Sequence, residues 1–316
     1  MNKSYFEILR AGVNTTLQDE GRPNVYHIGV PFSGAMDRRN YLISNSILGN
    51  NANSLSLEFA YQGPLLKLKT GKVSASITGD VIFNIIRKNS EIEKGECYKS
   101  FILDSDDEID IISTNRSVYG YLSVNGGFQG DVFWGSSSIH TKSEIGPNNG
   151  KKFSLNEKLY LNELQQNFIS KKIKYQNFKI EFIRVIKATN FDYFSDAAIN
   201  NFFSKEFNVT KLTDRMGMRL EGFKIENNFE TNIKSEGLVK GVIQVPPDGN
   251  PIIMLSDHGT IGGYPKIAVV VSADLDRLVQ TSPGNKIKFK LIELSEAERL
   301  FKLYNFETEN IINNLI

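Results

Sequence analysis

SEGLVKGVIQVPPDGNPIIMLSDHGTIGGYPKIAVVVSAD, residues 235–274, is the stretch from which the fold is read. Its apolar runs Ile252–Leu255 and Ile267–Val271 are short, rich in β-branched residues and bounded by Gly and Pro, the pattern of buried strands rather than helices. The breaks between them are polar. Pro246–Pro251 (PPDGNP) is turn chemistry, and Asp257–Tyr264 (DHGTIGGY) sets an acid, an imidazole and a phenol around three glycines. Two readings stand for that loop: the glycines turn a sharp corner, or the loop is a site.

Outward from this stretch the chain reads as β-rich. On the N-terminal side Lys179–Val185 starts a strand, Phe191–Phe203 reads as a helix, and Thr213–Leu220 is a charged turn leading into a strand. On the C-terminal side Ser272–Val279 opens a short helix, and Lys286–Leu291 alternates as a half-exposed strand. Ser295 with Glu298 forms a capping-box pair opening a helix to about Tyr304. Earlier in the chain, Tyr5–Arg10 is a strand. Asp37 is the expected N-cap of a helix that Gly49 stops. Leu55–Leu161 is mostly strand, with the acidic run Asp104–Glu108 read as a solvated turn.

A chain of 316 residues is long for one core, so two domains are expected. The boundaries are an N-terminal β-rich domain over 1–164, a linker over 165–178 that lacks apolar period, a C-terminal domain over 179–294, and a helix and tail over 295–316. Lys and Arg number 37 against 36 Asp and Glu, which removes the electrostatic case for nucleic acid or an anionic membrane as partner. The single Cys97, an N-terminus without an apolar signal core, and the lack of any run near the roughly 18 apolar residues of a membrane span point to a soluble, unprocessed, cytoplasmic protein.

Phosphate-loop, HExxH and GxSxG signatures are all missing, and His27, His140 and His258 share no helical spacing, so no metal site is assigned. His258, beside Asp257 in a Gly-rich loop, either transfers a proton near neutral pH or is structural. Turn-borne charges form three sets: Asp19 with Arg22, Asp214 with Arg215, and Lys266 after Tyr264–Pro265. They suit a small anionic ligand, or else the Asp–Arg sets are structural bridges.

Six segments in fixed order carry a family resemblance: TTLQDEGR (15–22), GVPFSGAMD (29–37), LEFAYQGP (57–64), DRMGMRLEG (214–222), SEGLVKGVIQVPPDGNPI (235–252) and GGYPKIAVVVSADLDRL (262–278). They resemble the C subunit of bacterial 5-oxoprolinase. That family is also known as allophanate hydrolase subunit 2, kinase-A-inhibitor antagonist, or biotin-dependent carboxyltransferase domain of urea carboxylase type. Two places depart from it. Gly259–Thr260–Ile261 stands where the family usually has Gln-Thr-Thr. After Gly135, Ser137 and Ser138–Ile139–His140 replace an Arg and a Ser-Thr-Asp.

The resemblance implies a β-rich α+β fold in two parts, with a cyclophilin-like β-barrel and a few short helices. It implies a hetero-oligomer with subunit-B-like and subunit-A-like proteins that opens 5-oxo-L-proline, a small-molecule amide, to L-glutamate. ATP is then a cofactor of the complex. The alternatives are biotin-dependent carboxyl transfer to a urea-like amide, which needs a separate biotin carrier, and a non-catalytic regulator that binds a subunit-B-like kinase inhibitor. The catalytic residues implied are Asp257, His258 and Lys266. The substrate-binding residues implied are Gln18, Asp19, Arg22, Ser33, Asn125, Asp214, Arg215, Gln244, Asp248 and Tyr264.

Overall fold

The computed structural model describes residues 3–163, 171–175, 181–226 and 233–314. They fall into two compact units, the first made of 1–22, 33–176 and 308–316, the second of 23–32 and 177–307. Most of the 165–178 linker segment lies outside the described residues, as does the start of the strand expected from Lys179. Within 171–175, however, Ile173 is buried and donates its N–H to the Tyr98 carbonyl, so these residues belong to the first unit's packing. The segment Pro23–Phe32, which the sequence places in the N-terminal domain, clusters with the second unit.

The first unit carries β1 (Tyr5–Arg10), β2 (Thr16–Gln18), α1 (Arg38–Ile47), β3 (Ser56–Ala60), β4 (Leu65–Leu68), β5 (Lys72–Thr78), β6 (Val81–Ile86), β7 (Ile92–Lys94), β8 (Ser100–Asp104), β9 (Glu108–Thr114), β10 (Tyr119–Val124) and β11 (Lys158–Tyr160). They form a six-stranded sheet ordered β11-β1-β4-β9-β6-β7 and a five-stranded sheet ordered β2-β3-β10-β5-β8. One apolar core joins inward residues of both sheets, among them Phe6, Ile8, Leu66, Phe83, Ile109, Leu57, Phe59, Ile77 and Leu122.

Strands β3 and β10 are buried along their whole length, because the second sheet is covered on both faces. Its outer face is polar and meets α1. Ser44 hydrogen-bonds Ser76, Asn45 donates to Ser56 Oγ, and Thr78 donates to the Asn40 carbonyl. Asp37 caps α1 as expected, its carboxylate accepting from Asn40 N–H at 3.0 Å. Asp107, read as part of a solvated turn, is instead buried. It accepts from Arg87 Nη1 and from the N–H groups of Lys88 and Asp104.

The second unit carries β12 (Ile183–Lys187), α2 (Asp196–Ser204), β13 (Phe207–Val209), β14 (Gly217–Gly222), β15 (Glu236–Gly237), β16 (Val242–Gln244), β17 (Ile252–Met254), β18 (Ile261–Gly262), β19 (Lys266–Val270), α3 (Leu275–Val279), β20 (Lys286–Ile287) and β21 (Phe289–Leu291). The order β20-β13-β14-β17-β16-β19-β12-β21 begins and ends on one extended segment. Ile287 pairs with Phe207, while Phe289 pairs with Ile183, so Lys286–Leu291 closes the sheet into a nearly complete barrel. Its alternation, read as half-exposed, is the alternation of a barrel strand: Ile287 and Phe289 are buried, Lys286, Lys288 and Lys290 exposed.

Two helices differ from the sequence reading. Phe191–Phe203 is not one helix: a single 3₁₀ turn at Phe191–Tyr193 precedes α2, because Ser195 adopts an extended conformation and caps Ala198 N–H at 3.1 Å. The last helix, α4 (Leu294–Asn313), starts before Ser295 and runs well beyond Tyr304. Ser295 therefore lies inside its first turn, and Glu293 supplies the carbonyl that accepts from Ala297.

At the closure, Phe202 of α2 stacks on Phe289 with ring centroids 4.6 Å apart and tilts against Phe207 at 5.8 Å. Truncation there removes a ring from both ends of the sheet at once. Phe202→Ala is expected to destabilise the second unit by about 3–5 kcal/mol, read as a lowered midpoint in urea denaturation followed by circular dichroism.

Candidate functional site

In the first unit the expected residues gather where β2 ends. Gln18 is fully buried. Its Nε2 donates to Thr16 Oγ1 at 3.0 Å and to the Ile139 carbonyl at 2.9 Å, while its Oε1 is buried without a hydrogen-bond partner among the described residues. Asp19 is wrapped by donors: Ser136 Oγ and Ser138 Oγ at 2.6 Å, Ser137 N–H at 2.6 Å and Gly21 N–H at 2.8 Å. Ser137, which stands where the family usually has an Arg, meets this carboxylate through its backbone N–H alone. Arg22 is fully buried and donates to the Ser138 carbonyl.

Ser33 adopts a left-handed φ of 58°, an uncommon conformation for a residue with a Cβ. Its hydroxyl is buried and finds no partner among the described residues. The next residue, Gly34, also has positive φ, and a Cβ there would lie 2.8 Å from the Glu20 carbonyl oxygen. Glycine is required for that approach. Asn125 has a structural duty: its Nδ2 donates at 3.0 Å to the carbonyl of Leu48, the C-cap of α1.

In the second unit the loop after β17 and the turn before β14 are joined by a bidentate ion pair. Arg215 Nε and Nη2 lie 2.8 and 2.9 Å from the two carboxylate oxygens of Asp257, and Asp257 N–H donates to the Arg215 carbonyl at 2.9 Å. Both side chains are buried. The acid partnering Arg215 is therefore remote in sequence. Asp214, read as its neighbour in a charged set, shapes the turn by accepting from Met216 and Gly217 N–H. Asp248 plays a similar turn role, with both carboxylate oxygens taken by Asn250.

His258 is 1% exposed. Its Nδ1 lies 2.6 Å from the Gly259 carbonyl and its Nε2 lies 3.2 Å from the hydroxyl of Tyr26. Burial lowers its pKa below the ordinary 6.5, and the charge of Lys240 adds to this against the opposing effects of the Gly259 bond and Asp257. Gly259 has ample room at its Cβ position, the nearest atom being 3.6 Å away, so neither backbone strain nor crowding demands glycine there. Ile261, the other departure in this loop, is 65% exposed on β18.

Lys266 opens β19 and is buried, donating to Glu236 Oε2 at 2.7 Å. That bond holds the Glu236 carboxyl below its usual range. Glu236 lies on β15, which pairs with β18 in a two-stranded ribbon. Gln244 is the register partner of Lys266 and donates to the Tyr264 carbonyl at 3.2 Å. Tyr264 itself is half-exposed. A Cβ on Gly262 would come within 2.7 Å of Gln244 Nε2, so the ribbon lies directly on Gln244. Glu236, Asn190, which accepts from Lys266 N–H at 3.1 Å, and Tyr26 were not singled out from sequence. Tyr26 and Asn190 come from other segments, and Glu236, although inside the 235–274 stretch, meets Lys266 only through the fold.

Two consequences are measurable. Asp257→Asn leaves Arg215 buried beside a neutral amide and is expected to lower stability by about 3–5 kcal/mol, read by denaturant unfolding. For His258 the folded pKa is depressed while the unfolded value is 6.5. The unfolded chain therefore binds more protons in the window between them, and stability contributed above 6.5 is lost as pH falls through the folded pKa. The thermal midpoint is expected to drop on acidification below pH 6.5, and His258→Gln is expected to flatten that drop.

The chain matches the family described as "Carboxyltransferase domain, subdomain A and B" over residues 28–291. It is 28% identical over 295 residues to the C subunit of the 5-oxoprolinase of Escherichia coli K12, a match covering 92% of each chain. It is also 28% identical over 317 residues to the urea amidolyase of Saccharomyces cerevisiae, covering 93% of this chain and 17% of that one. The crystal structure of the K. lactis urea amidolyase superposes with a TM-score of 0.90 at 26% identity, over 98% of this chain and 20% of that chain. This chain thus spans about a fifth of that solved enzyme. The likeness bears out the β-rich, two-part, barrel-containing fold read from the sequence.

Proposed function

The chain belongs to the carboxyltransferase family of subdomains A and B, and on that premise we propose that it is a subunit of an ATP-dependent 5-oxoprolinase that opens 5-oxo-L-proline to L-glutamate. The observation that carries this reading is the near full-length correspondence with a protein named as the C subunit of a 5-oxoprolinase, 92% of which finds its counterpart here. Such a subunit acts with subunit-B-like and subunit-A-like proteins in the cytoplasm, and ATP is bound at the level of the complex.

The chemistry of the second unit supports an amide substrate. In this reading Lys266 supplies the positive charge for a substrate carboxylate or for a carbonyl oxygen gaining charge. Arg215 and Asp257 satisfy each other and brace the loop that carries His258, leaving the imidazole to handle the proton. In the first unit, the open hydrogen-bonding capacity of Gln18 Oε1 and the Ser33 hydroxyl suits a small polar ligand with both N–H and C=O groups.

The K. lactis likeness supports a second reading, transfer of a carboxyl group from a separate biotin carrier to a urea-like amide. The two separate cleanly in one experiment. The chain purified with its subunit-B-like and subunit-A-like partners is expected to release glutamate from 5-oxoproline only when ATP is present, and to be indifferent to avidin. Avidin-sensitive carboxylation of urea, with no glutamate formed, favours the second reading instead. Within the active complex, Lys266→Ala is expected to reduce turnover by about 100-fold while its partners still co-purify with it.

A further inference from the structure

Tyr26 enters the second unit on the short 3₁₀ turn Tyr26–Ile28, far in sequence from the loop it meets. Its ring stacks on His258 with centroids 5.9 Å apart and planes 21° from parallel. The phenol oxygen is 3.2 Å from Nε2. The two differ in access, for His258 is buried and Tyr26 is half-buried. Tyr26 is thus the more exposed member of the pair.

The hydrogen-bond pattern assigns the protons. A carbonyl oxygen only accepts, so the 2.6 Å contact to Gly259 places the imidazole hydrogen on Nδ1. In the neutral ring Nε2 then carries a lone pair, and the Tyr26 hydroxyl is its donor. Asp257 does not compete for this role, because both its oxygens hold Arg215. Asp257 acts on the ring electrostatically and not by a hydrogen bond through these oxygens. Lys240 is the opposing charge that acts on the ring.

Resting on the amide-type substrate proposed above, we propose that Tyr26 is a catalytic residue that removes a proton from a substrate N–H while passing its own phenolic proton to Nε2 of His258. The step is balanced. The substrate N–H bond breaks and leaves its electron pair on nitrogen, an O–H bond forms on Tyr26 as its former O–H bond breaks, and an N–H bond forms on His258. The products are an amide nitrogen carrying the electron pair, neutral tyrosine and an imidazolium facing the Asp257 carboxylate. Both 5-oxoproline and a urea-like amide contain such an N–H. A phenol on its own is a weak base, and the imidazole behind it is the group that accepts the proton in the same step. Burial keeps the phenol protonated and the imidazole neutral beforehand.

Two measurements on the full chain test this. Long-range ¹H–¹⁵N correlation spectra at pH 7.5 are expected to show His258 protonated on Nδ1 only. Tyr26→Phe keeps the ring stack but removes the hydroxyl beside Nε2, so the His258 pKa is expected to move from its wild-type value. An Nε2–H tautomer, or a His258 titration unmoved by Tyr26→Phe, overturns the relay. In the reconstituted complex, Tyr26→Phe is expected to lower kcat by about 100-fold or more with KM little changed, and wild-type kcat in that variant overturns the relay as well. A wild-type complex inactive on 5-oxoproline overturns the substrate assignment instead. The relay is then decided by the spectra, which need no substrate.

Discussion

Closure of the eight-stranded sheet through Lys286–Leu291 is the constraint on which the second unit depends. A sheet edge leaves a row of backbone N–H and C=O groups without partners, and a barrel removes both edges at once. Here one six-residue segment serves both ends, pairing with β13 through Lys286–Ile287 and with β12 through Phe289–Leu291. The break at Lys288 lets the segment change partners, and the Lys288 carbonyl still accepts from Ile183. With the rings of Phe202, Phe207 and Phe289 gathered at this seam, backbone pairing and apolar burial reinforce each other.

The loops of the candidate site are held to that frame by a few buried polar contacts. The Arg215–Asp257 pair joins a turn to a loop across the β14–β17 pairing. Because each charge satisfies the other, the pair acts as a brace, and the loop residue beside it, His258, is held with Nε2 3.2 Å from the Tyr26 hydroxyl. The ribbon of β15 and β18 is fastened in the same way by Glu236 to Lys266. The first unit uses a different device: the ring of Ser136, Ser137 and Ser138 around Asp19 disperses one buried carboxylate over neutral donors.

Much of the architecture was legible. Tyr5–Arg10, the two strands expected within the 235–274 stretch, which holds five, and the capped helix after Asp37 stand where the residue pattern set them to within a residue or two, since each depends on local period or cap chemistry. The helix expected over Phe191–Phe203 is shorter because Ser195 is a stronger local signal, as an N-cap, than the apolar residues before it. Asp107 is buried where a solvated turn is expected because its partners, Arg87 and Lys88, lie a whole strand pair away. Tyr26 and Glu236 were invisible as site residues for a similar reason, being remote in the chain from His258 and Lys266.

The sequence by itself determined the β-rich class, the positions of most strands, the family, and the loop Asp257–Tyr264 as the place where polar chemistry concentrates. These are properties of neighbouring residues and of their order. Only the tertiary structure decided which acid serves Arg215, which ring Tyr26 meets, and which segment closes the barrel. Ion pairing and proton transfer act over a few ångströms, and sheet pairing over one strand spacing, while the partners concerned lie tens to hundreds of residues apart in the chain, as the 232-residue separation of Tyr26 and His258 shows.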